Sequence, residues 1–352
     1  MVADIQVKMS NTRYTLGVVI VTYNAADVIR DCLETLLAAA EDVALSVVVV
    51  DNASPDATVE GIKAWAAGKD GYTLPADLPF HTTPLPKPVP RTRQNGDVGG
   101  FLHVIRNDIN GGFAAGVNVG LTYLAKDPKI TRFWILNPDC AVPPGTPKAF
   151  ATYDPGCFSL MGGRMTYYDT PDMIQTDGGT VSRWTGGTKN FNFSRSALNT
   201  RPPDPANIDF ISGGSMVASR AFYEAAGPMS EDYFLFYEEV DWAMRRGDLP
   251  LAICDAARVY HKAGTSTGSP THRRAASPFS LYFKHRAWMR FVRRHQPASV
   301  PLAWAYALAK AGLYWLKGWK PEARAILDGA RGGKPSEEIL GRLSTQVMCQ
   351  IQ

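Results

Sequence analysis

The 352 residues carry 37 Lys and Arg against 33 Asp and Glu, a formal net charge of +4, with 45% hydrophobic and 20% charged side chains. That balance excludes a disordered or fibrous chain, and the length suffices for a full core with room for an appendage. The five cysteines, Cys32, Cys140, Cys157, Cys254 and Cys349, are odd in number and never form a CxxC pair. This argues against a disulfide framework or a structural zinc site and fits a reducing compartment.

Residues 1–14 read as a tail without the apolar run of a secretory signal, so a cytoplasmic location is expected. A β-branched run, TLGVVIVTYN (15–24), precedes AADVIRDCLETLLAAA, where Val28, Cys32, Leu36 and Ala39 recur at helical spacing. A second continuous apolar run, LSVVVVDNAS, follows. Strand, helix, strand with both strands apolar on both faces predicts a parallel sheet in an α/β layer structure. Asp27 is a candidate cap for the first helix, and Ser54 or Asp56 for the one after the second strand.

Residues 68–99 are too rich in Pro and Gly for regular core structure and read as an inserted surface loop. GFLHVIRND resumes the sheet, GGFAAGVNVGLTYLAK opens a helix behind a glycine-rich turn, and RFWILNPDC is a further strand. Three strands therefore stop at Asn24, Asp51 and Asp139, and the carboxyl ends of parallel strands form the crevice where such folds bind ligands. After Pro147 the pattern loosens into short strands and turns until about Asp209. DFISGGSMVASRAFYEAAG gives a strand, a Gly-Gly turn and a short helix. From Ser277 the reading is helical, through SPFSLYFKHRAWMRFVRRH and VPLAWAYALAKAGLYWLKGW to a polar tail, so 276–352 forms a basic helical region after a domain spanning 15–275.

Between Ala256 and Pro321 there are 12 Lys and Arg and no acid, which points to an anionic partner. No nucleic-acid motif accompanies this charge. Some of these residues, such as those of HRR (272–274), are candidates to close over a diphosphate. Others suit an anionic bilayer surface, as the interleaved Trp288, Phe291 and Trp304 suggest. Lys310 and two glycines interrupt the most apolar stretch, which favours an interfacial or packing helix over a membrane span.

Three groups of residues carry chemistry. FLFYEEVDWAMRR (234–246) sets Glu238, Glu239 and Asp241 among bulky apolar side chains, and carboxylates in such surroundings need partners or a use. Asp51, at a strand end, can accept hydrogen bonds from the imide of a uracil or thymine ring or from ribose hydroxyls, with Thr22, Tyr23 and Asn24 lining the same pocket. The alternative is that Asp51 and Asn52 only cap the next helix. NDINGGFAAGVNVG places glycines where a backbone must approach a ligand at a helix start, but it is neither a Walker loop nor a dinucleotide fingerprint.

Taken together, VVIVTYNAADVIRDCLETL, VVVVDNAS, NGGFAAGVNVG, WILNPDC, FISGGSMVASRAFYEAAG and YFLFYEEVDWAMRR resemble bacterial glycosyltransferase family 2, particularly its rhamnosyltransferase-like and galactofuranosyltransferase-like branch. The resemblance runs from about Thr15 to His261. It implies a GT-A fold, a mostly parallel Rossmann-like sheet flanked by helices, and inverting transfer of a sugar from a nucleotide diphosphate to a hydroxyl of a glycan or lipid-linked saccharide. UDP or dTDP is the favoured carrier and rhamnose the first candidate sugar. Asn110, Gly112, Phe113 and Asn118 match the family's nucleotide-sugar pocket. Asn137 and Asp139 form an Asn-Pro-Asp version of the family's Asp-x-Asp, leaving Asp139 to hold Mg²⁺ or Mn²⁺ against the diphosphate. His261 falls where relatives supply a second metal ligand, and imidazole tilts the choice toward Mn²⁺. Gly213 and Gly214 match a turn under the donor sugar and acceptor. Trp184, Tyr167, Tyr168, Tyr233 and Phe236 are either stacking faces for sugar rings or core. The resemblance sets the base at Glu239, with Glu238 and Asp241 orienting the acceptor or pairing with Arg245 and Arg246. A catalytically silent nucleotide-sugar or carbohydrate-binding module is the alternative. A nucleotidyltransferase would need an N-terminal basic phosphate loop that VTYNAADV does not provide.

Overall fold

The computed structural model describes residues 15–40, 43–89, 101–264 and 275–341. The tail 1–14, the HRR triplet, part of the Pro/Gly-rich segment and the last residues of the chain lie outside them. In chain order the first half runs β1 (Thr15–Thr22), α1 (Ile29–Ala38), β2 (Ala44–Asp51), α2 (Thr58–Ala66), β3 (Phe101–Arg106), α3 (Phe113–Leu124), β4 (Arg132–Leu136), β5 (Cys140–Ala141) and α4 (Thr146–Thr152). The second half runs β6 (Leu160–Tyr167), β7 (Ile174–Thr176), β8 (Gly179–Val181), β9 (Thr188–Asn190), β10 (Ser215–Ser219), α5 (Arg220–Ala226), α6 (Glu238–Met244) and β11 (Ala252–His261). Four helices complete it: α7 (Pro278–His295), α8 (Val300–Leu316), α9 (Lys320–Arg331) and α10 (Glu337–Leu340).

The fold is the expected α/β one. The main sheet has the order β3-β2-β1-β4-β10-β6-β11-β5, with β7 beside β6. Its first four strands are parallel, β10 runs antiparallel to both neighbours, and β6 and β11 are parallel again. Side chains alternate across β1. Leu16, Val18 and Ile20 face a core built with Ile29, Leu33 and Trp65, while Val19 and Val21 face one built with Val117 and Leu121. Burial on both faces is why β1 and β2 read as uninterrupted apolar runs. Gly116 and Gly120, one turn apart on α3, let that helix lie close on the sheet. A Cβ at either would come within 2.6 Å of Val21 and 2.4 Å of Val19 respectively.

Several sequence expectations need correction. Helix α1 begins at Ile29 after Val28, so Asp27 supplies no cap. Before α2 the residue preceding the helix is Ala57, yet Asp56 accepts from the Thr58 amide at 3.1 Å, while Ser54 turns to Asp51. Strands β1 and β4 stop at Thr22 and Leu136, short of Asn24 and Asp139. The stretch after Pro147 holds an eight-residue strand, β6. Its sequence LMGGRMTY lacks a β-branched run, and neighbouring strands rather than propensity hold it in the sheet. In ISGGSM the glycine turn precedes the strand, and the polar tail contains α9.

The described part of the Pro/Gly-rich segment, 68–89, has no helix or strand but is docked firmly. Buried Glu34 accepts from Trp65 Nε1, the Leu85 amide and Lys87 Nζ, each at 2.7 Å. Helix α7 is part of the second core. Trp288 and Phe291, read from sequence as bilayer-facing, are 4% and 0% exposed and pack there.

Candidate active site at the carboxyl edge of the sheet

At the ends of β1 and β2 the polar residues lock onto one another. Fully buried Asp51 accepts from Thr22 Oγ1 at 3.0 Å, Ser54 Oγ at 2.5 Å and the Ser54 amide at 3.0 Å, with Arg106 Nε 3.9 Å away. Ser54 Oγ also accepts from the Asn24 amide at 3.1 Å, which ties the two strand ends together. Asn52 donates to the Gly112 carbonyl at 2.8 Å and accepts from Asn107 at 2.9 Å. The Gly112 amide in turn reaches Asn110 Oδ1 at 3.0 Å. Burial pushes the Tyr23 phenol pKa up, and a hydrogen bond from Asn110 partly offsets it. Thr22, Tyr23, Asn24, Asp51, Asn110 and Gly112 thus share one connected edge of the sheet.

The glycine turn has a different cause from the one its sequence suggests. Gly112 sits at φ 89°, and a Cβ there would lie 2.3 Å from the Phe234 carbonyl oxygen. That carbonyl also accepts from the Phe113 amide at 2.9 Å. The glycine therefore admits the protein's own 234 backbone, not a ligand. Asn118 is likewise used internally, bonding Met229 through both its amide ends and Glu231 at 2.8 Å. Its side chain is a pin for the segment leading to the acidic turn.

Beyond β4, the Asn137 amide donates to the Gly214 carbonyl at 2.9 Å, which sets LNPDC against the Gly213–Gly214 turn. His261 pairs with Cys140 in the β11–β5 register and brings its Nε2 to 2.9 Å from Asp139 Oδ1 and 3.3 Å from Asn137 Nδ2. Gln175 Oε1 lies 2.8 Å from His261 Nδ1. With Nδ1–H donating to that oxygen, Nε2 presents its lone pair toward a carboxylate. Two electron-rich atoms at such a distance want a proton or a cation between them. Asp139, Cys140 and His261 each offer a ligand atom within 4.8 Å of the others, and all three are buried. Burial raises the Cys140 thiol pKa well up, and its Sγ meets the Gly214 carbonyl at 3.6 Å, so the oxygen and nitrogen of Asp139 and His261 are the donors suited to a hard cation. The residues fit a divalent ion.

On the other side of the same glycine turn lies Glu239. A Cβ on Gly213 would be 3.4 Å from Phe113 Cε1 and 3.6 Å from Glu239 Cβ, whereas one on Gly214 would be 3.6 Å from Asn137 Nδ2. The backbone entering α6 is strained. Phe234, Phe236 and Tyr237 have φ of 62°, 70° and 68°. Phe234 forms the centre of a γ-turn in which the Leu235 amide donates to the Tyr233 carbonyl at 2.7 Å. Left-handed bulky residues cost on the order of 1–3 kcal/mol each and persist where the surroundings over-determine them. Here the Gly112–Phe113 turn and the packing of Phe234 on Phe283 do so.

The three acids of α6 fare differently. Asp241 is saturated: Tyr233 Oη at 3.0 Å, Arg245 Nε at 3.2 Å, Arg294 Nη1 at 3.2 Å and His295 Nε2 at 2.7 Å. Burial works against its charge, but these hydrogen bonds and charges hold its carboxyl below the usual range. It is a structural clamp between α6 and α7, which removes it from the acceptor-orienting role. Arg246 pairs with no carboxylate among the described residues and donates to the Asp209 and Ala243 carbonyls. Glu238 is buried with Oε2 lacking any partner among the described residues, and burial together with Glu239 pushes its pKa well up. Glu239 is also raised by burial, against which its neighbouring backbone amides and Lys284 of α7 act. Burial lowers the Lys284 pKa, and Glu239 counteracts.

Trp184 stands on the β8–β9 turn and is 77% exposed. Tyr167, Tyr168 and Tyr233 are 2%, 6% and 2% exposed and belong to the core, whereas Phe236 is half-buried near α7. Sequence reasoning missed Gln175, on a strand too short to read, and Lys284, visible only as one of many basic residues.

Residues 17–74 match the family model for glycosyl transferase family 2, a stretch that runs from within β1 through α1, β2 and α2. No curated protein matches the sequence. Several solved structures are similar, three of them as follows. The mannosyltransferase PcManGT from Pyrobaculum calidifontis, in complex with GDP-Man and Mn²⁺, is 13% identical over 91% of this chain and 87% of its own, with a TM-score of 0.49. GalNAc-T7 with UDP, GalNAc and Mn²⁺ is 15% identical over 80% of this chain and 48% of its own, with a TM-score of 0.47. S. aureus TarS 1–349 in complex with UDP is 15% identical over 96% of this chain and 86% of its own, with a TM-score of 0.46.

Proposed function

We propose that the chain is an inverting family 2 glycosyltransferase on a GT-A sheet, moving a sugar from a nucleotide diphosphate to a hydroxyl. The observation that carries this reading is the Gly213–Gly214 turn, which has Glu239 against its first residue and Asn137 against its second, with Asn137 Nδ2 3.3 Å from the His261 ring that meets Asp139. The match of residues 17–74 to the family model supports it independently.

The roles follow from the chemistry of each group. Thr22, Tyr23, Asn24 and Asp51 hold the edge against which the nucleoside lies, with Asp51 stiffening it from beneath. Asp139 and His261 would hold Mn²⁺ or Mg²⁺, which supplies positive charge to the leaving diphosphate. Gln175 fixes the His261 tautomer. Glu239, its pKa raised by burial, takes the proton from the attacking hydroxyl as base. Lys284 limits how far that pKa rises. Burial and the neighbouring Glu239 both disfavour a second negative charge on Glu238. The donor is read as a UDP- or dTDP-sugar, with rhamnose first among the sugars. The acceptor is read as a glycan or lipid-linked saccharide destined for the cell surface, handled on the cytoplasmic side.

A thermal-shift panel of nucleotide sugars with Mn²⁺, Mg²⁺ and chelator identifies the donor by mass action. Glu239→Gln is then expected to bind that donor with unchanged affinity while losing transfer. Unchanged transfer in this variant would sink the assignment of the base, and a panel with no shift would sink the enzyme.

A further inference from the structure

Helix α8 carries its side chains in the reverse sense for a packing helix. The positions it turns inward are small: Ala303, Ala307 and Ala311 are buried, and Lys310 lies 3.4 Å from His285 of α7. The large apolar residues point out. Leu302, Tyr306, Leu308, Leu313, Trp315 and Leu316 are 48%, 52%, 56%, 59%, 56% and 84% exposed. Apart from inward Lys310, no charged side chain occurs from Val300 to Leu316. A helix apolar all round is ordinarily enclosed on every side, and nothing among the described residues covers the outer face of this one. Its 17 residues span roughly 25 Å, short of a bilayer core of about 30 Å. No described helix is long and apolar enough to cross a membrane.

The charges around this face select its occupant. Lys317 and Lys320 follow the helix, with ammonium groups 5.3 Å and 5.4 Å from the ring centroids of Trp319 and Trp315. From Val300 to Pro321 the only charged side chains are Lys310, Lys317 and Lys320, with no acid among them. A second copy seated here would bring like charges together without a carboxylate from this segment to answer them. An anionic lipid surface supplies both an apolar layer for the leucines and tryptophans and phosphates for the lysines. We infer that α8 is an in-plane anchor that seats the protein on an anionic bilayer, its exposed face in the acyl boundary and Lys317 and Lys320 at the phosphate level.

The test is sedimentation of the full chain with vesicles of phosphatidylcholine alone and with about one-third phosphatidylglycerol. Binding to the anionic vesicles, with a blue shift of tryptophan emission, is expected. The pair Trp315→Ser with Leu316→Ser should lower partitioning at least ~10-fold, because two exposed anchors are lost. Lys317→Gln and Lys320→Gln should each lower it roughly five-fold, and high salt should mimic them. The serine pair should leave the melting temperature and nucleotide-sugar binding in lipid-free solution unchanged, so failure here is separable from failure of the sugar-transfer reading. Three results would overturn the anchor. One is no binding to either vesicle. Another is a sharp loss of melting temperature in the serine pair, which would make the face internal packing. The third is a concentration-dependent dimer, seen by light scattering without lipid and abolished by that pair, which would make the occupant a second copy.

Discussion

The β1–β2 edge and the turn entering α6, which meet through the Gly112–Phe113 turn and the Phe234 carbonyl, are built on opposite principles. At the first, the buried carboxylate is answered: Asp51 has three hydrogen bonds at 2.5–3.0 Å, and the positive-φ residues beside it, Asn24 and Ala53, are small. At the second, three bulky residues are held left-handed, one carboxylate oxygen of Glu238 has no partner among the described residues, and burial pushes two adjacent acids up. A binding edge gains from being satisfied before its ligand arrives. Burial that is not fully compensated raises a carboxyl's pKa, as it does for Glu239, and so raises its affinity for a proton.

The contrast is broken most severely by Glu239→Gln, which should cut transfer about 10²–10⁴-fold with donor affinity intact, as read by turnover and titration calorimetry. Next is Asp241→Ala. It leaves Tyr233, Arg245, Arg294 and His295 without their shared acceptor, and about 3 kcal/mol of stability should be lost in chemical denaturation, at the lower end for a buried pair because the arginines reach solvent. The Asp241 carboxyl is depressed on folding, so its contribution is present above the unfolded pKa of about 3.9 and fades as pH falls through the depressed value. Wild type and variant should therefore converge in acid.

Smaller effects sharpen the comparison. Gln175→Ala frees the His261 ring and should weaken Mn²⁺ binding about 10–100-fold without altering metal-free stability much, measured by competition with a metal indicator. Glu238→Gln should raise the melting temperature, with a sign set by linkage. A carboxyl whose folded pKa is raised is stabilising below its unfolded pKa of about 4.3 and loses that contribution as pH rises toward the folded value. The advantage of Gln should accordingly be absent near pH 4 and grow with pH.

The two regions also differ in how far they can be read from sequence. The runs GVVIVT and SVVVVD announce buried parallel strands because both faces are covered, and the Asp51 edge follows from where they end. Strands β6 and β11 escape because LMGGRMTY and AICDAARVYH mix glycine and charge, and pairing across the sheet decides them. The pairing of Asp139 with His261 follows from a family resemblance and is brought about by the β11–β5 register. Nothing in FLFY suggests left-handed residues, since bulky side chains argue against them. Asp241 and Glu238 look alike in sequence, and only the docking of α7 separates the clamped acid from the unsatisfied one. Gly112 reads as a ligand-facing glycine because sequence cannot show that Phe234 fills the space.

The most direct test of one shared centre is the release of nucleoside diphosphate from UDP- and dTDP-sugars by the full chain with an acceptor saccharide, with and without chelator. The account predicts release that requires a divalent cation and falls to background when Asp139→Asn or His261→Ala removes a donor. Release that is unchanged by chelator and by both substitutions would contradict it.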